Sequence, residues 1–218
     1  PRLAIERSPL AAAGVVVAAV SSASFRMVGP IYGQEVGLSA GQIAWFLSAF
    51  VLGGALAQFP VGWLADKYDR RWVLIWLSVA AIASAMITVA AAGLGTIGIM
   101  ISAGLTTFPI YSVAAAHAHD FASNDERVEL SAALMFFFAV GAIFAPYLAS
   151  VLIENYGPSA LFLMISVSHA ALVIFGLTRM RARATPKDRT RFVSTPRTTF
   201  TVGRLFGRSR NSRNRTDG

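Results

Sequence analysis

Long runs without a formal charge constrain this chain more than any other feature. Between Arg7 and Arg26 lie 18 residues free of Asp, Glu, Lys and Arg, between Glu35 and Asp66 lie 30, and on either side of Glu154, back to Glu129 and on to Arg179, lie 24 each. From Arg71 to Asp120 the chain again carries no formal charge. A bilayer core of roughly 30 Å takes about 20 apolar residues in helix. The first four runs therefore hold one span each, and the last holds two, reversed at Gly93-Leu94-Gly95-Thr96. This predicts an all-α polytopic membrane protein with six transmembrane helices at 9–31, 40–64, 72–92, 96–117, 127–152 and 159–178, followed by a tail over 179–218. Composition agrees: 55% of residues are hydrophobic and 14% charged, against about a quarter charged in soluble domains.

Helix-start signals support the division. Ser8-Pro9 puts a capping hydroxyl before a proline at the first helical position, and Gly157-Pro158 is the matching signal for the last helix. Ser39 with Gln42 reads as a capping box, stapled by Leu38 and Ile43, and Ser123 with Glu126 reads as a second box.

The net charge of +8 belongs to the tail. Residues 1–178 hold 7 basic and 9 acidic side chains, and residues 179–218 hold 12 and 2. A basic globular domain that binds nucleic acid would spread its charge over a folded face, so no nucleic acid partner is expected. The tail has too few apolar residues to bury a core and reads as disordered, with its first arginines against anionic lipid. When the connections are numbered alternately, 18 of the 19 basic residues fall on one side. The positive-inside rule makes that side cytoplasmic, with both termini there and the protein in the cell's inner (plasma) membrane. Arg26 is the exception. Cysteine is absent and only three histidines occur, so neither a metal site nor a cofactor is expected. The chain opens on Pro1, not Met, which reads as a piece whose upstream part is missing.

The link between the second and third predicted helices, Gly62-Trp63-Leu64-Ala65-Asp66-Lys67-Tyr68-Asp69-Arg70-Arg71, is too short for a domain and makes those helices antiparallel neighbours. Asp66 sits at a helix end where an adjacent Arg can clamp it, a charge pair that a moving interface can break. The link resembles the signature loop of the major facilitator superfamily at Gly62, Leu64, Ala65, Asp66, Lys67, Arg70 and Arg71. It departs at Asp69, where the family usually has Gly, which bears on the tightness of the turn and adds an anion. The resemblance extends through Gln58-Phe59-Pro60-Val61-Gly62, Gly104 to Tyr111 and Gly141 to Pro146. It implies a half bundle of two inverted three-helix repeats, equivalent to the C-terminal six helices of a bacterial permease. The function implied is transport of a small solute by a secondary active transporter using alternating access, not an enzymatic activity. The implied partners are a small-molecule substrate, H+ as a candidate coupling ion, and the missing N-terminal six-helix half or a second copy. The resemblance further implies that Gly62, Asp66, Lys67, Arg70 and Arg71 form a conformational gate, with Asp120, Glu126 and Arg127 of the next cytoplasmic loop as its partners.

Substrate-cavity candidates are Arg26, Gln58, Thr106, Thr107 and Tyr111. An ionisable group inside a span is costly and signals function by default, although Arg26, about 25 Å up its helix, is also placed to snorkel to headgroups. Pro109 frees a backbone carbonyl that can kink the fourth span or bind a ligand. The competing reading of the Thr, Tyr and Gln side chains is ordinary interhelical hydrogen bonding, and Gly53/Ala57, Ala81/Ala85 and Gly141/Ala145 read as packing pairs. His117 and His119 fit either a proton carrier at the cytoplasmic mouth or interfacial polarity, and His169 reads as structural. An intramembrane serine protease of rhomboid type would use a His on the last helix, but residues 101–104 read Ile-Ser-Ala-Gly and lack its nucleophile turn. A non-transporting receptor or scaffold is the remaining alternative.

Overall fold

The computed structural model describes residues 1–90, 104 and 106–182. Seven helices occur among them: α1 (Arg2–Arg7), α2 (Pro9–Glu35), α3 (Ala40–Lys67), α4 (Arg70–Ala90), α5 (Pro109–His119), α6 (Arg127–Tyr156) and α7 (Ala160–Ala182). Five of them, α2, α3, α4, α6 and α7, are long and apolar enough to cross a membrane. The fourth predicted span is described only from residue 104 onward. The reversal at 93–96 and the tail beyond residue 182 lie outside the described residues.

The five long helices overlap five of the predicted spans, and several of them outrun the predicted ends. The first and fifth predicted spans continue four residues further, to Glu35 and Tyr156, and the second, α3, continues three further, to Lys67. Hydropathy marks the part of a helix that sits in hydrocarbon; a polar residue ends nothing by itself, and termini are fixed by caps. Ser8 Oγ accepts from the Ala11 amide at 3.3 Å, with Pro9 at the first position of α2. The Ser39 box is complete: the Ser39 amide donates to Gln42 Oε1 at 2.8 Å and the Gln42 amide to Ser39 Oγ at 3.4 Å. Its staple residues Leu38 and Ile43 both lie against Gly33 of α2.

Two start signals need correction. Gly157 is the C-cap of α6, with φ +84, and α7 begins at Ala160. The left-handed conformation that ends one helix is a use only glycine meets without cost. The second capping box forms by half. The Ser123 amide donates to Glu126 Oε2 at 3.0 Å, but Glu126 is itself the N-cap of α6 and no side chain caps that helix, because its other carboxylate oxygen takes Arg7. The short helix α1 was not predicted; six residues carry too little periodicity to announce themselves.

In the bundle, α2 packs along α6 and α7, and α4 packs along α7. The close approaches fall at the small residues. A Cβ on Gly141 would stand 2.9 Å from Ala19 Cβ and 3.1 Å from the Val16 carbonyl, and one on Gly14 would stand 2.9 Å from Ala114 Cβ. At the end that carries Arg26, the core is aromatic: Phe25 stacks on Phe50 at 3.9 Å and Tyr32 meets Phe162 edge-on at 4.8 Å. Elsewhere small aliphatics such as Ala11, Ala18, Val113, Ala114 and Ala118 fill it. The least buried spans are α3 and α6. Their exposed faces carry Trp45, Leu56 and Phe59, and Ile143, Phe144 and Tyr147.

Candidate functional site

Arg70 opens α4 and is 1% exposed, a position that a guanidinium holds only when its donors are satisfied. Nη1 donates to Asp120 Oδ1 at 2.6 Å and to the Ala116 carbonyl at 2.9 Å. Nη2 reaches Asp66 Oδ1 at 3.3 Å, and Nε reaches the Ala65 carbonyl at 3.3 Å. One planar cation thus joins the C-terminal turn of α3, the start of α4 and the C-terminal turn of α5. The two carbonyls belong to the last turns of α3 and α5, and the Ala116 oxygen also accepts from the Asp120 amide at 3.2 Å, so the positive charge complements the helix dipoles.

The turn between α3 and α4 has only Tyr68 and Asp69 outside helix. Among the described residues no non-glycine has positive φ, so the turn does not require the family's glycine. Asp69 instead caps α4. Its Oδ1 accepts from the Arg71 amide at 3.0 Å, and its carboxylate takes the Arg71 guanidinium with Nη2 to Oδ2 at 2.7 Å. The added anion is therefore spent locally on Arg71. Lys67 lies over the Trp63 ring, 4.8 Å from its centroid. Gly62 is buried.

The next loop divides its charges. Asp120 joins Arg70, as a pairing between the two loops requires, but Glu126 pairs with Arg7 at the end of α1. Arg127 makes no salt bridge among the described residues. The hydrogen bond from Arg7, followed by that from the Ser123 amide, holds the Glu126 carboxyl below the usual carboxylate range. His119, at the end of α5, meets Ser131 Oγ through Nε2 at 3.2 Å. Burial first, then the nearby Arg127 charge, lowers its pKa from the ordinary histidine value. His117 is buried with its ring edge-on to Phe121 at 5.2 Å.

The cavity candidates separate. Arg26 is exposed, donates from Nε to the Ser22 carbonyl at 3.3 Å, and lines a cleft of about 840 Å³ between α2 and α3 with Trp45, Ser48, Leu52 and Ala55. Because α2 runs nine residues beyond it, Arg26 sits about 13 Å short of the helix end, deeper than a span ending at residue 31 implied. Thr107 and Tyr111 do not join this cleft. Both are buried, and Tyr111 meets Phe138 of α6 edge-on at 5.4 Å. Thr106 and Gln58 are half-buried, and each is engaged within the protein. Pro109 stands at the first position of α5, and the carbonyl it frees, that of residue 105, is outside the described residues. Gly104 is where the chain before α5 meets α3, since a Cβ there would lie 1.9 Å from the Phe50 carbonyl oxygen. Trp45 and Ser48 were missed as cleft residues; Ser48, a hydroxyl within an apolar run, was the available signal.

His169 is fully enclosed in α7 and joins Ser21 of α2, Nε2 to Oγ at 2.9 Å. Ser21 in turn donates to the Val17 carbonyl at 3.0 Å. This is an interhelical tie at membrane depth, in line with its structural reading; residues 101–103 lie outside the described residues.

The sequence profile described as Major Facilitator Superfamily matches residues 11–212. A relative from Salmonella arizonae, named uncharacterized MFS-type transporter YcaD, is 30% identical over 174 residues, covering 79% of this chain and 45% of the relative. The protein of the same name from Salmonella newport gives the same identity and coverage. Among solved structures, the POT family transporter PepTSo superposes with a TM-score of 0.70 at 16% identity, covering 87% of this chain and 40% of that one. An auto-inhibited POT family peptide transporter superposes with a TM-score of 0.68, covering 90% and 40%. At such identity the two structures speak for the fold alone. The chain spans about half the length of the curated relatives it matches.

Proposed function

The chain belongs to the major facilitator superfamily, and on that premise we propose that it is one half of a secondary transporter that moves a small solute by alternating access. The half is the C-terminal one, six helices with both termini cytoplasmic, and the membrane is the inner (plasma) membrane. Two six-helix bundles rock about a shared site near mid-membrane, so each bundle needs a rigid end, an open inner face and a solute contact.

The observation that carries the reading is Arg26. A guanidinium exposed on a membrane-spanning helix, opening into a cleft with an apolar wall and one hydroxyl, Ser48, is out of place against lipid and in place against a water-filled passage. Its chemistry suits a solute with an anionic group and an apolar body, or a carboxylate on the other half. Support also comes from α3 and α6, whose exposed apolar faces offer a second bundle something to slide on. The Arg70 node supplies the rigid end: Asp120 fixes Arg70 within this half, while the more exposed Asp66 is its weaker second partner, the one to exchange when the halves separate.

This chain has no cysteine of its own, so once the rest of the reading frame is freed of cysteine, one thiol placed in it reports alone. Ser48→Cys, introduced into the full reading frame, is labelled with a membrane-impermeant maleimide in right-side-out and inverted vesicles. Alternating access predicts labelling from both faces, with a ratio shifted by Asp66→Asn. Labelling from neither face, or from one face unmoved by Asp66→Asn, rejects the proposal.

A further inference from the structure

Four segments far apart in sequence converge at the charged end of the bundle: the start of α2, the start of α4, the end of α5 and the end of α7. Between them lies a recess lined by Arg7, Ser8, Arg71, His117, Phe121 and Arg179, among others. Arg71 and His117 are buried. Among the described residues no Asp or Glu lines the recess. Two of its arginines already have carboxylates outside the wall, Arg7 with Glu126 and Arg71 with Asp69. Arg179 has no salt bridge among the described residues. Three guanidinium groups are gathered on this concave wall, with Glu6 also acting on Arg7, and Arg179 is left to face an anion or water.

From this geometry we infer that the recess holds the phosphate of an anionic phospholipid. Its volume of about 20 Å³ is room for one oxygen-sized group. That excludes a whole solute molecule and fits a single phosphate oxygen entering from a ligand whose remaining atoms lie outside. Arg7 and Pro9 stand where α2 begins, and Arg179 stands in the last turn of α7, so the mouth opens at the level where headgroups meet the ends of the spans. Guanidinium forks match phosphate oxygens in geometry as well as charge. The site belongs to the folded bundle, not to the basic tail, and its occupant clamps α7 to the junction of α1 and α2. Its presence depends on membrane embedding alone and not on the transport cycle, so the maleimide assay and the lipid assay fail independently.

The test is lipid retention by the protein expressed from the full reading frame and purified in detergent, read by native mass spectrometry during titration with phosphatidylglycerol, phosphatidylcholine or inorganic phosphate. The expected result is one tightly held phosphatidylglycerol, weakened about fivefold by Arg179→Gln, the effect of one charge at an anionic surface, and unaltered by Arg181→Gln two residues on. Arg179→Lys keeps the charge but loses the fork, and should fall between; it also serves if Arg179→Gln does not fold. Equal weakening by Arg179→Gln and Arg181→Gln would reduce the effect to diffuse attraction and overturn the site. Inorganic phosphate competing at equal concentration, or phosphatidylcholine binding as well, would overturn the assignment to an anionic lipid, as would retention of no lipid.

Discussion

Removing Asp120 should cost far more stability than removing Asp66, although both carboxylates bind the same guanidinium. The Asp120 side chain is 2% exposed and sits 2.6 Å from Arg70, itself 1% exposed, whereas Asp66 is 38% exposed and sits at 3.3 Å. Breaking a buried pair from one side strands a desolvated charge, at about 3–5 kcal/mol. Losing a partly exposed partner costs about 1 kcal/mol or less. For a chain of this size 1 kcal/mol moves Tm by roughly 2–4 °C. Asp120→Asn should therefore lower Tm by about 6–20 °C, and Asp66→Asn by no more than about 4 °C. The assay is thermal unfolding followed by tryptophan fluorescence in one detergent at one pH, the four tryptophans providing the signal. Adding Arg70→Met to Asp120→Asn should restore part of the loss, since no unpaired charge then stays buried. If Asp66→Asn destabilises as much as Asp120→Asn, or if Arg70→Met brings no recovery, the reasoning from burial is wrong.

Three other outcomes follow from the same end of the bundle and its packing. Because the folded pKa of Glu126 is depressed by Arg7 and the Ser123 amide, its contribution is present above the ordinary carboxylate value, about 4.3, and is lost as pH falls through the lower folded value; Glu126→Gln should flatten that part of a Tm-against-pH curve. His119 is likewise depressed, through burial and Arg127. An unfolded chain binds its proton first, so stability should decline from about pH 6.5 downward; His119→Gln should remove this component, and an unaltered acid limb would refute it. Gly104→Ala would drive a Cβ into the Phe50 carbonyl and should cost at least about 1–3 kcal/mol. Gly41→Ala, with nothing within 4 Å of the added carbon, should leave Tm unchanged or raised; similar losses for both would refute the contact.

The legibility of the candidate site follows from how far apart its partners lie along the chain. Contacts within a few residues were readable: the Ser8 and Ser39 caps, and the clamping of Asp66 by a nearby arginine, which the structure identifies as Arg70. Glu126 was legible as a capping residue but not as the partner of Arg7, because a carboxylate has two oxygens and the sequence names only the nearer claimant. Asp69 was legible as an added anion but not as a cap. A turn that skips left-handed φ gives an aspartate a different use, as the cap of α4. The cleft beside Arg26 was half legible, since the cation announces itself by its cost in a span while its neighbours Trp45 and Ser48 depend on how α3 leans on α2.

Sequence by itself determined the class of molecule, where its five long apolar helices lie and which end of the bundle is charged, because transfer into hydrocarbon is a local property summed over about 20 residues. Tertiary structure alone decided who meets whom. Arg70 reaches Asp120 across 50 residues, Arg7 reaches Glu126 across 119, and His169 reaches Ser21 across 148. Each pairing requires the register between helices that the small residues at Gly14, Gly104 and Gly141 set by allowing close approach. Hydropathy is indifferent to a rotation or a slide of one helix against another; close packing is not, and that difference separates what could be read from what had to be seen.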